Sequence, residues 1–198
     1  HATWADIPHL NRSVAQQRLA YAMLNLANWI RSRSPVGRKA AKLYGSIVTQ
    51  SREPTFYRDL GIPDTPSGRY EVLVLHMAIA LHRLNAVEKS DGPVSRALTE
   101  AFVADIDDSL REMAFGDMSV PRRVKKAAAG LMERCLAYRG AFEVDDRGAV
   151  VALIAEFLTE LPADKTKLVA DYACRAAKTH PPNGRKDQNL ESIGLFPV

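Results

Sequence analysis

The sequence has few of the features that mark membrane proteins or disulfide-stapled domains. Its 198 residues include only two cysteines, Cys135 and Cys174, and their spacing fits neither a disulfide framework nor a metal site. Both lie in helix-like patterns, so we expect buried thiols in a reducing compartment. No run of 18 apolar residues occurs, which argues against a membrane-spanning helix, and no secretory signal is visible.

Catalytic motifs are also missing. The sequence contains no Gly-x-Ser-x-Gly elbow, no P-loop and no Gly-rich dinucleotide turn. Its five histidines do not converge, and Glu-x-x-His, the pattern of di-iron bundles, does not occur. His76 lies between Leu75 and Met77, where a satisfied buried histidine is expected rather than a ligand. These absences favour a binding protein without metal or cofactor over an enzyme.

Three acids offer the best alternative to that interpretation. Asp105, Asp108 and Glu112 share one helical face, and paired carboxylates can perform acid–base chemistry or hold a cation. No electrophile, base partner or phosphate-binding loop accompanies them. We therefore favour a solvated acidic face, with Arg111 as the local counter-charge.

Helical periodicity fills almost the whole chain, and no strand-like alternation is present. The apolar fraction of 46% and the charged fraction of 25% are ordinary for a globular protein. We predict a single all-α domain over residues 1–198, a bundle of about seven helices. Its first helix, within residues 1–34, is not diagnostic, and residues 180–198 form a polar tail with an apolar end. The chain begins without Met, so we expect a native N-terminus that was cut away or replaced.

Caps and apolar stripes locate the central helices. Ser34 and Pro35 are predicted as N-cap and first residue of one helix, and Ser67 as the start of the next. That next helix has two apolar stripes, which predicts a position in the centre of the core. The first stripe contains Tyr70, Leu73, Val74, Met77, Leu81 and Leu84, and the second contains Val72, Leu75 and Ile79. A later helix has a bundle seam at Val124, Ala128, Leu131, Cys135, Tyr138 and Phe142.

A basic cluster opens that later helix. It consists of Arg122, Arg123, Lys125 and Lys126, in a segment, 119–139, that has six basic residues against one acid. A solvated basic turn, a nucleic-acid contact without an aromatic platform and an anionic membrane surface are the alternatives. Cations are disfavoured by the dipole at a helix N-terminus, which favours a partner surface.

The stretch LYGSIVTQSREPTFYRDLGIPDT, residues 43–65, places two adjacent aromatic residues in a connector between helices. We expect at least one of Phe56 and Tyr57 to pack beneath the connector, since burying an aromatic side chain contributes about 1.5 to 3 kcal/mol. Polar side chains surround the pair, and Tyr and Arg are enriched at binding hot spots. The elbow is therefore predicted to be a packed corner with a recognition rim.

Two long stretches resemble the ubiquinol–cytochrome c chaperone family. The first is LYGSIVTQSREPTFYRDLGIPDTPSGRYEVLVLHMAIALHRL, and the second is DIDDSLREMAFGDMSVPRRVKKAAAGLMERCLAYRGAF. The short GLFPV ending also resembles those of bacterial members. The resemblance runs from about residue 35 to the end and is strongest over 43–142.

The resemblance implies a non-enzymatic assembly chaperone without an obligatory cofactor. Such a protein would bind cytochrome b during its synthesis and pass it on for assembly of the bc1 complex. It implies further contacts with the ribosome exit region and a small partner subunit. The basic residues predict a peripheral contact with an anionic membrane, and we expect no contact with DNA. The bacterial style of the motifs predicts a cytoplasmic protein at the inner membrane, whereas a eukaryotic member would lie on the mitochondrial matrix side.

We hypothesise a partner-binding surface near the elbow and a separate basic surface for membrane or ribosome. The first contains Gln50, Arg52, Phe56, Tyr57, Arg58, Asp59, Arg69 and His76. The second is the basic cluster. Two other functions remain open: a helical module that holds a lipid or quinone tail in a cavity lined by His76 and Met77, and a ribosome- or RNA-associated factor. An undetected enzyme is a further alternative.

Overall fold

The structure, a computed structural model, describes residues 34–88, 92–112 and 120–178. These residues form seven helices and no strand, which confirms the predicted all-α bundle. The helices are α1 (Pro35–Ser51), α2 (Pro54–Arg58), α3 (Pro66–Glu88), α4 (Pro93–Glu112), α5 (Val120–Glu143), α6 (Arg147–Phe157) and α7 (Ala163–Lys178). The helix predicted within residues 1–34, apart from Ser34, and the tail predicted at 180–198 lie outside the described residues.

Side-chain caps fix where the helices begin. The Ser34 hydroxyl accepts a hydrogen bond from the Gly37 amide at 2.9 Å, which confirms the predicted start of α1. The start predicted for α3 is wrong by one residue, and its cap by two. The Thr65 hydroxyl, rather than that of Ser67, accepts from the Gly68 amide at 3.1 Å.

Helix α3 lies at the centre of the bundle and contacts α1, α4, α5 and α7. Its two apolar stripes pack into two different core clusters, as a helix with apolar residues most of the way round should. The first stripe packs with residues of α1 and α4. The second packs with residues of α2, α6 and α7, and both clusters include residues of α5.

The predicted seam of α5 also faces the core. Leu131 and Tyr138 are buried, and the four other seam residues are partly buried. The outward side of the helix is exposed to solvent at most of its positions.

One ion pair fastens α5 to α3. The Arg134 guanidinium donates two hydrogen bonds to the Glu71 carboxylate, at 2.7 and 2.8 Å, and both side chains are largely buried. The same guanidinium lies 4.4 Å from the centre of the Phe157 ring on α6. Three helices therefore meet at this charge.

The acidic face of α4 is partly a structural contact. The Asp105 carboxylate is exposed but accepts a hydrogen bond of 2.8 Å from the Tyr44 hydroxyl of α1. Arg111 forms an ion pair with Asp107 of the same helix. Asp105 thus helps to hold α4 against α1.

Candidate functional site

The elbow is a short helix between two turns. Helix α1 ends at Ser51, and Pro54 begins the five-residue helix α2. Gly61 then has φ of +76°, a left-handed conformation that glycine adopts without a Cβ clash. The chain reverses here and enters α3, so that residues of α1, α2 and α3 come together at one corner.

Phe56 is the buried anchor of the elbow. Its ring is 1% exposed and meets His76 edge to face, with 5.1 Å between ring centroids. It meets Tyr172 of α7 at the same separation. Edge-to-face pairs of this kind add about 0.5 to 1.5 kcal/mol beyond burial. The expectation that one aromatic residue packs beneath the connector is confirmed.

His76 is fully buried and has partners for both ring nitrogens. Nδ1 lies 2.7 Å from the Val72 carbonyl oxygen, which can only accept, so Nδ1 carries the proton. Nε2 therefore accepts from the Tyr172 hydroxyl at 2.8 Å. Burial lowers the pKa of His76 to about 4, which keeps the ring neutral. The predicted satisfied histidine is confirmed, and His76 does not reach the surface.

Tyr172 joins α7 to the elbow. Burial raises the pKa of its hydroxyl well above the usual value. No motif in the sequence singles out Tyr172. It lies 96 residues from His76, and no local pattern indicates a pairing over that distance.

Tyr57 forms the inner edge of the exposed rim. Its hydroxyl donates to the Ser51 carbonyl at 2.6 Å, close to the end of α1. The Arg69 guanidinium lies over its ring, 5.7 Å from the centroid, and is itself held by an ion pair with Asp64. Burial raises the pKa of Tyr57, and the charge of Arg69 opposes this. The ring is thus fixed from both sides.

The outer edge of the rim is charged and exposed. Arg58 and Asp59 form an ion pair with an Nε–Oδ1 distance of 2.8 Å. The Asp59 backbone carbonyl accepts from the Lys165 ammonium of α7 at 2.9 Å. Arg52, the C-cap of α1, is exposed. Its positive charge, like that of Arg69, partly opposes the rise in the pKa of Tyr57 that burial causes.

The structure therefore brings the residues of the hypothesised partner-binding surface to one corner, but some of them are buried and only the others are exposed to solvent. Phe56 and His76 are interior residues, which corrects their placement on a surface; a buried ring stabilises the corner but cannot contact a partner there. Gln50 is half-buried. The exposed or half-exposed rim consists of Arg52, Tyr57, Arg58, Asp59 and Arg69.

The basic cluster forms a second exposed feature. Arg122, Arg123, Lys125 and Lys126 are all exposed in the first two turns of α5. The first turn of that helix has no acidic residue. The dipole of α5 therefore adds to the positive charge of the four side chains.

The described residues contain neither a candidate metal site nor a candidate membrane-spanning helix. Within 34–88, 92–112 and 120–178, no three His, Cys, Asp or Glu side chains are grouped so that they could hold a metal ion. None of the helices described there has the length and apolar character needed to cross a bilayer. Burial raises the pKa of the Cys135 thiol to about 12, so this thiol stays protonated.

Two side chains have buried nitrogens without a hydrogen-bond partner among the described residues: Gln50 at the elbow, through Nε2, and Arg83 in the core. Arg83 of α3 is buried, and within the part of the chain that the structure describes no acceptor lies in reach of its two terminal nitrogens. Burial lowers the pKa of its guanidinium to about 10. Nothing in the sequence distinguishes this arginine from a surface residue.

Comparisons with known proteins give a consistent result. The chain matches the ubiquinol-cytochrome C chaperone family over residues 58–179. The crystal structure of the Cbp3 homolog from Brucella abortus superposes with a TM-score of 0.67 at 28% identity, covering 87% of this chain and 96% of that one. No curated protein matches. Because the family match covers more than half of the chain, the protein belongs to the ubiquinol–cytochrome c chaperone family.

Proposed function

We propose that the chain is a non-enzymatic assembly chaperone that binds cytochrome b for assembly of the bc1 complex. Membership of the chaperone family supports the assembly role, and the structural likeness to a Cbp3 homolog agrees with it. The site is the exposed rim of the elbow, consisting of Arg52, Tyr57, Arg58, Asp59 and Arg69. Binding, rather than bond chemistry, is its activity.

The observation that carries this proposal is the fixed rim on a buried aromatic anchor. Tyr57 is held by its hydroxyl and by the guanidinium above its ring, so little side-chain freedom is lost when a partner binds. Tyrosine and arginine side chains in such positions contribute strongly to protein–protein binding. The exposed Arg58–Asp59 pair adds charges of both signs beside them.

The remaining partners follow from the same proposal. We infer action on the cytoplasmic side of a bacterial inner membrane, where cytochrome b is inserted, or on the matrix side in a eukaryote. A small partner subunit and the ribosome exit region are further partners. No DNA contact is proposed.

The alternative of a quinone- or lipid-holding module has less support. His76 has both ring nitrogens engaged within the protein, and Met77 is fully buried in the core. A ligand at this place would have to displace the Tyr172 hydrogen bond. The RNA-associated alternative depends on the basic cluster alone.

A crosslinking pull-down from the native membrane fraction tests the proposal, with cytochrome b as the readout. The test variant is Tyr57→Ala with Arg58→Ala. The matched control is Arg139→Ala with Glu143→Ala, an exposed ion pair of similar geometry on α5. We expect wild type and control to enrich cytochrome b and the elbow variant to lose most of the enrichment.

A thermal melt of each variant accompanies the pull-down, so that unfolding is not mistaken for lost binding. Equal enrichment by a folded elbow variant would place the client elsewhere. No enrichment by the wild-type protein, together with normal bc1 levels after deletion, would reject the chaperone role itself.

A further inference from the structure

The outward side of α5 has an apolar stripe that nothing in the described structure covers. Met132 is 54% exposed and Leu136 is 61% exposed, and Ala129 beside them is also exposed. The three positions are spaced by three and four residues, so they lie on one face. At 3.6 residues per turn, that face is turned about 120° around the helix from the seam that packs into the core.

The basic cluster continues the same stripe. Arg122, Lys125, Ala129, Met132 and Leu136 are spaced by three, four, three and four residues, and all are exposed. Arg123 and Lys126 flank the stripe. A single helix therefore presents cations at its first two turns and aliphatic side chains in the next three.

Few carboxylates neutralise this face. The exposed acids of α5 are Glu133 and Glu143, and Glu143 is paired with Arg139. Among residues 34–88, 92–112 and 120–178, no carboxylate forms an ion pair with Arg122, Lys125 or Lys126. The face is left with net positive charge beside exposed hydrocarbon.

We propose that the outer face of α5 lies on an anionic lipid bilayer, with the basic cluster at the headgroups and Met132 and Leu136 inserted at the acyl boundary. Helices that lie in the membrane interface combine these two features, and anionic headgroups attract each basic residue near the surface. The inference concerns a different surface from the elbow rim and does not depend on the client.

Two observations favour a bilayer over RNA. Among the residues that the structure describes, the large apolar side chains that are exposed carry no aromatic ring: Val87, Met132, Leu136, Val144 and Leu168. Bases of single-stranded RNA stack on aromatic rings, and the exposed stripe of α5 contains no aromatic residue. Aliphatic side chains next to cations match acyl chains next to phosphates.

The shape of the face favours a bilayer over a peptide. Helix α5 presents the convex side of one helix, whereas a bound peptide helix normally lies in an apolar groove between elements. A flat lipid surface can contact the whole stripe at once. The elbow rim remains the surface for a protein client.

Cosedimentation of the full chain with vesicles tests the proposal. The vesicles are neutral phosphatidylcholine or phosphatidylcholine with 30% phosphatidylglycerol. We expect binding to the anionic vesicles only, reduced several-fold when salt rises from 50 to 300 mM, because surface charges are screened.

Two variants separate the contributions. The first variant removes positive charge by the triple substitution Arg122→Gln, Lys125→Gln and Lys126→Gln. The second removes exposed apolar surface by the double substitution Met132→Gln and Leu136→Gln. Each should lower the bound fraction at least fivefold. The control, Lys167→Gln with Leu168→Gln, removes an exposed cation and an exposed aliphatic residue from α7 and should bind as wild type does.

Competition with a single-stranded RNA completes the experiment. If the Met132/Leu136 variant binds vesicles normally while RNA displaces the wild type, the face is a polyanion site and the bilayer proposal is overturned. Absence of binding to anionic vesicles, or equal loss in the α7 control, would overturn it as well.

Discussion

The ring of Phe56 stands perpendicular to that of His76, with an interplanar angle of 90°. This contact joins the elbow to the middle of α3, and the Tyr172 hydroxyl extends it to α7. The rim that we assign to the client is therefore built on three helices rather than on a free loop. Its rigidity depends on a histidine that must remain neutral.

That requirement predicts a pH dependence of stability. The pKa of His76 is about 4 in the folded protein and about 6.5 when exposed, so between these values only the unfolded state binds the proton. The contribution of His76 to the free energy of unfolding should be greatest above pH 6.5. It should fall by about 3 kcal/mol as the pH drops to 4. Urea titrations from pH 4.5 to 7.5 measure it.

The control for this prediction is His76→Leu combined with Tyr172→Phe, which leaves no unpaired hydroxyl. Carboxylates contribute to the same titration, so the difference between wild type and this variant is the relevant quantity. An identical pH slope in both proteins would show that His76 does not titrate as described.

The Glu71–Arg134 pair should be far more important than the ion pairs of the surface. Replacing Arg134 with Ala leaves the Glu71 carboxylate, 10% exposed, without its partner. We expect a loss of about 3 kcal/mol in the free energy of unfolding. Arg139→Ala breaks an exposed pair on the same helix and should cost less than about 1 kcal/mol. Chemical denaturation compares the two, and equal losses would contradict this account.

Two helical glycines should respond to alanine in opposite ways. A Cβ on Gly68 would lie 2.0 Å from the Pro63 carbonyl oxygen, a backbone atom that can move only with its turn, so Gly68→Ala should destabilise by about 2 kcal/mol or more. A Cβ on Gly45 meets nothing within 4 Å, and Gly45→Ala should stabilise by about 0.5 to 1 kcal/mol. Thermal melts of both variants check the signs; a stable Gly68→Ala protein would mean that this turn is loose.

Arg83→Met should raise stability. A buried guanidinium without an acceptor costs about 1 to 3 kcal/mol, and methionine keeps much of its length without the charge. We expect the midpoint of urea unfolding to rise by a corresponding amount. Arg175→Met, an exposed change on α7, serves as control and should have little effect. A drop in stability for Arg83→Met would reveal a partner for this charge.

Periodicity in the sequence predicted most of the architecture for a physical reason. The two stripes of α3 and the seam of α5 repeat over several turns, and burial of such stripes determines how helices pack. The start of α3 was misplaced because Thr65 and Ser67 are both good N-caps and only the fold decides between them. The same patterns did not reveal the core pairing of His76 with Tyr172.

The sequence does not show which residues of the elbow are buried and which are exposed. Phe56 and Tyr57 are adjacent and both aromatic, yet one faces the core and the other the rim. Which of the two rings is buried depends on the orientation of the five-residue helix α2. The spacing of residues in the sequence does not predict that orientation. The exposed stripe of α5 has the same spacing of three and four residues as the seam, and only the fold shows which of the two stripes faces the core.

The central position of α3 has a consequence for synthesis. Its second stripe is covered largely by α6 and α7, and the last of these ends at Lys178, 90 residues after Glu88. At about 5 to 20 residues per second, that cover arrives roughly 5 to 20 s after α3 is made. During this interval the second apolar stripe of α3 lacks most of the residues that cover it in the folded protein. The protein that we propose as a chaperone for cytochrome b is therefore itself vulnerable to aggregation while it is being synthesised.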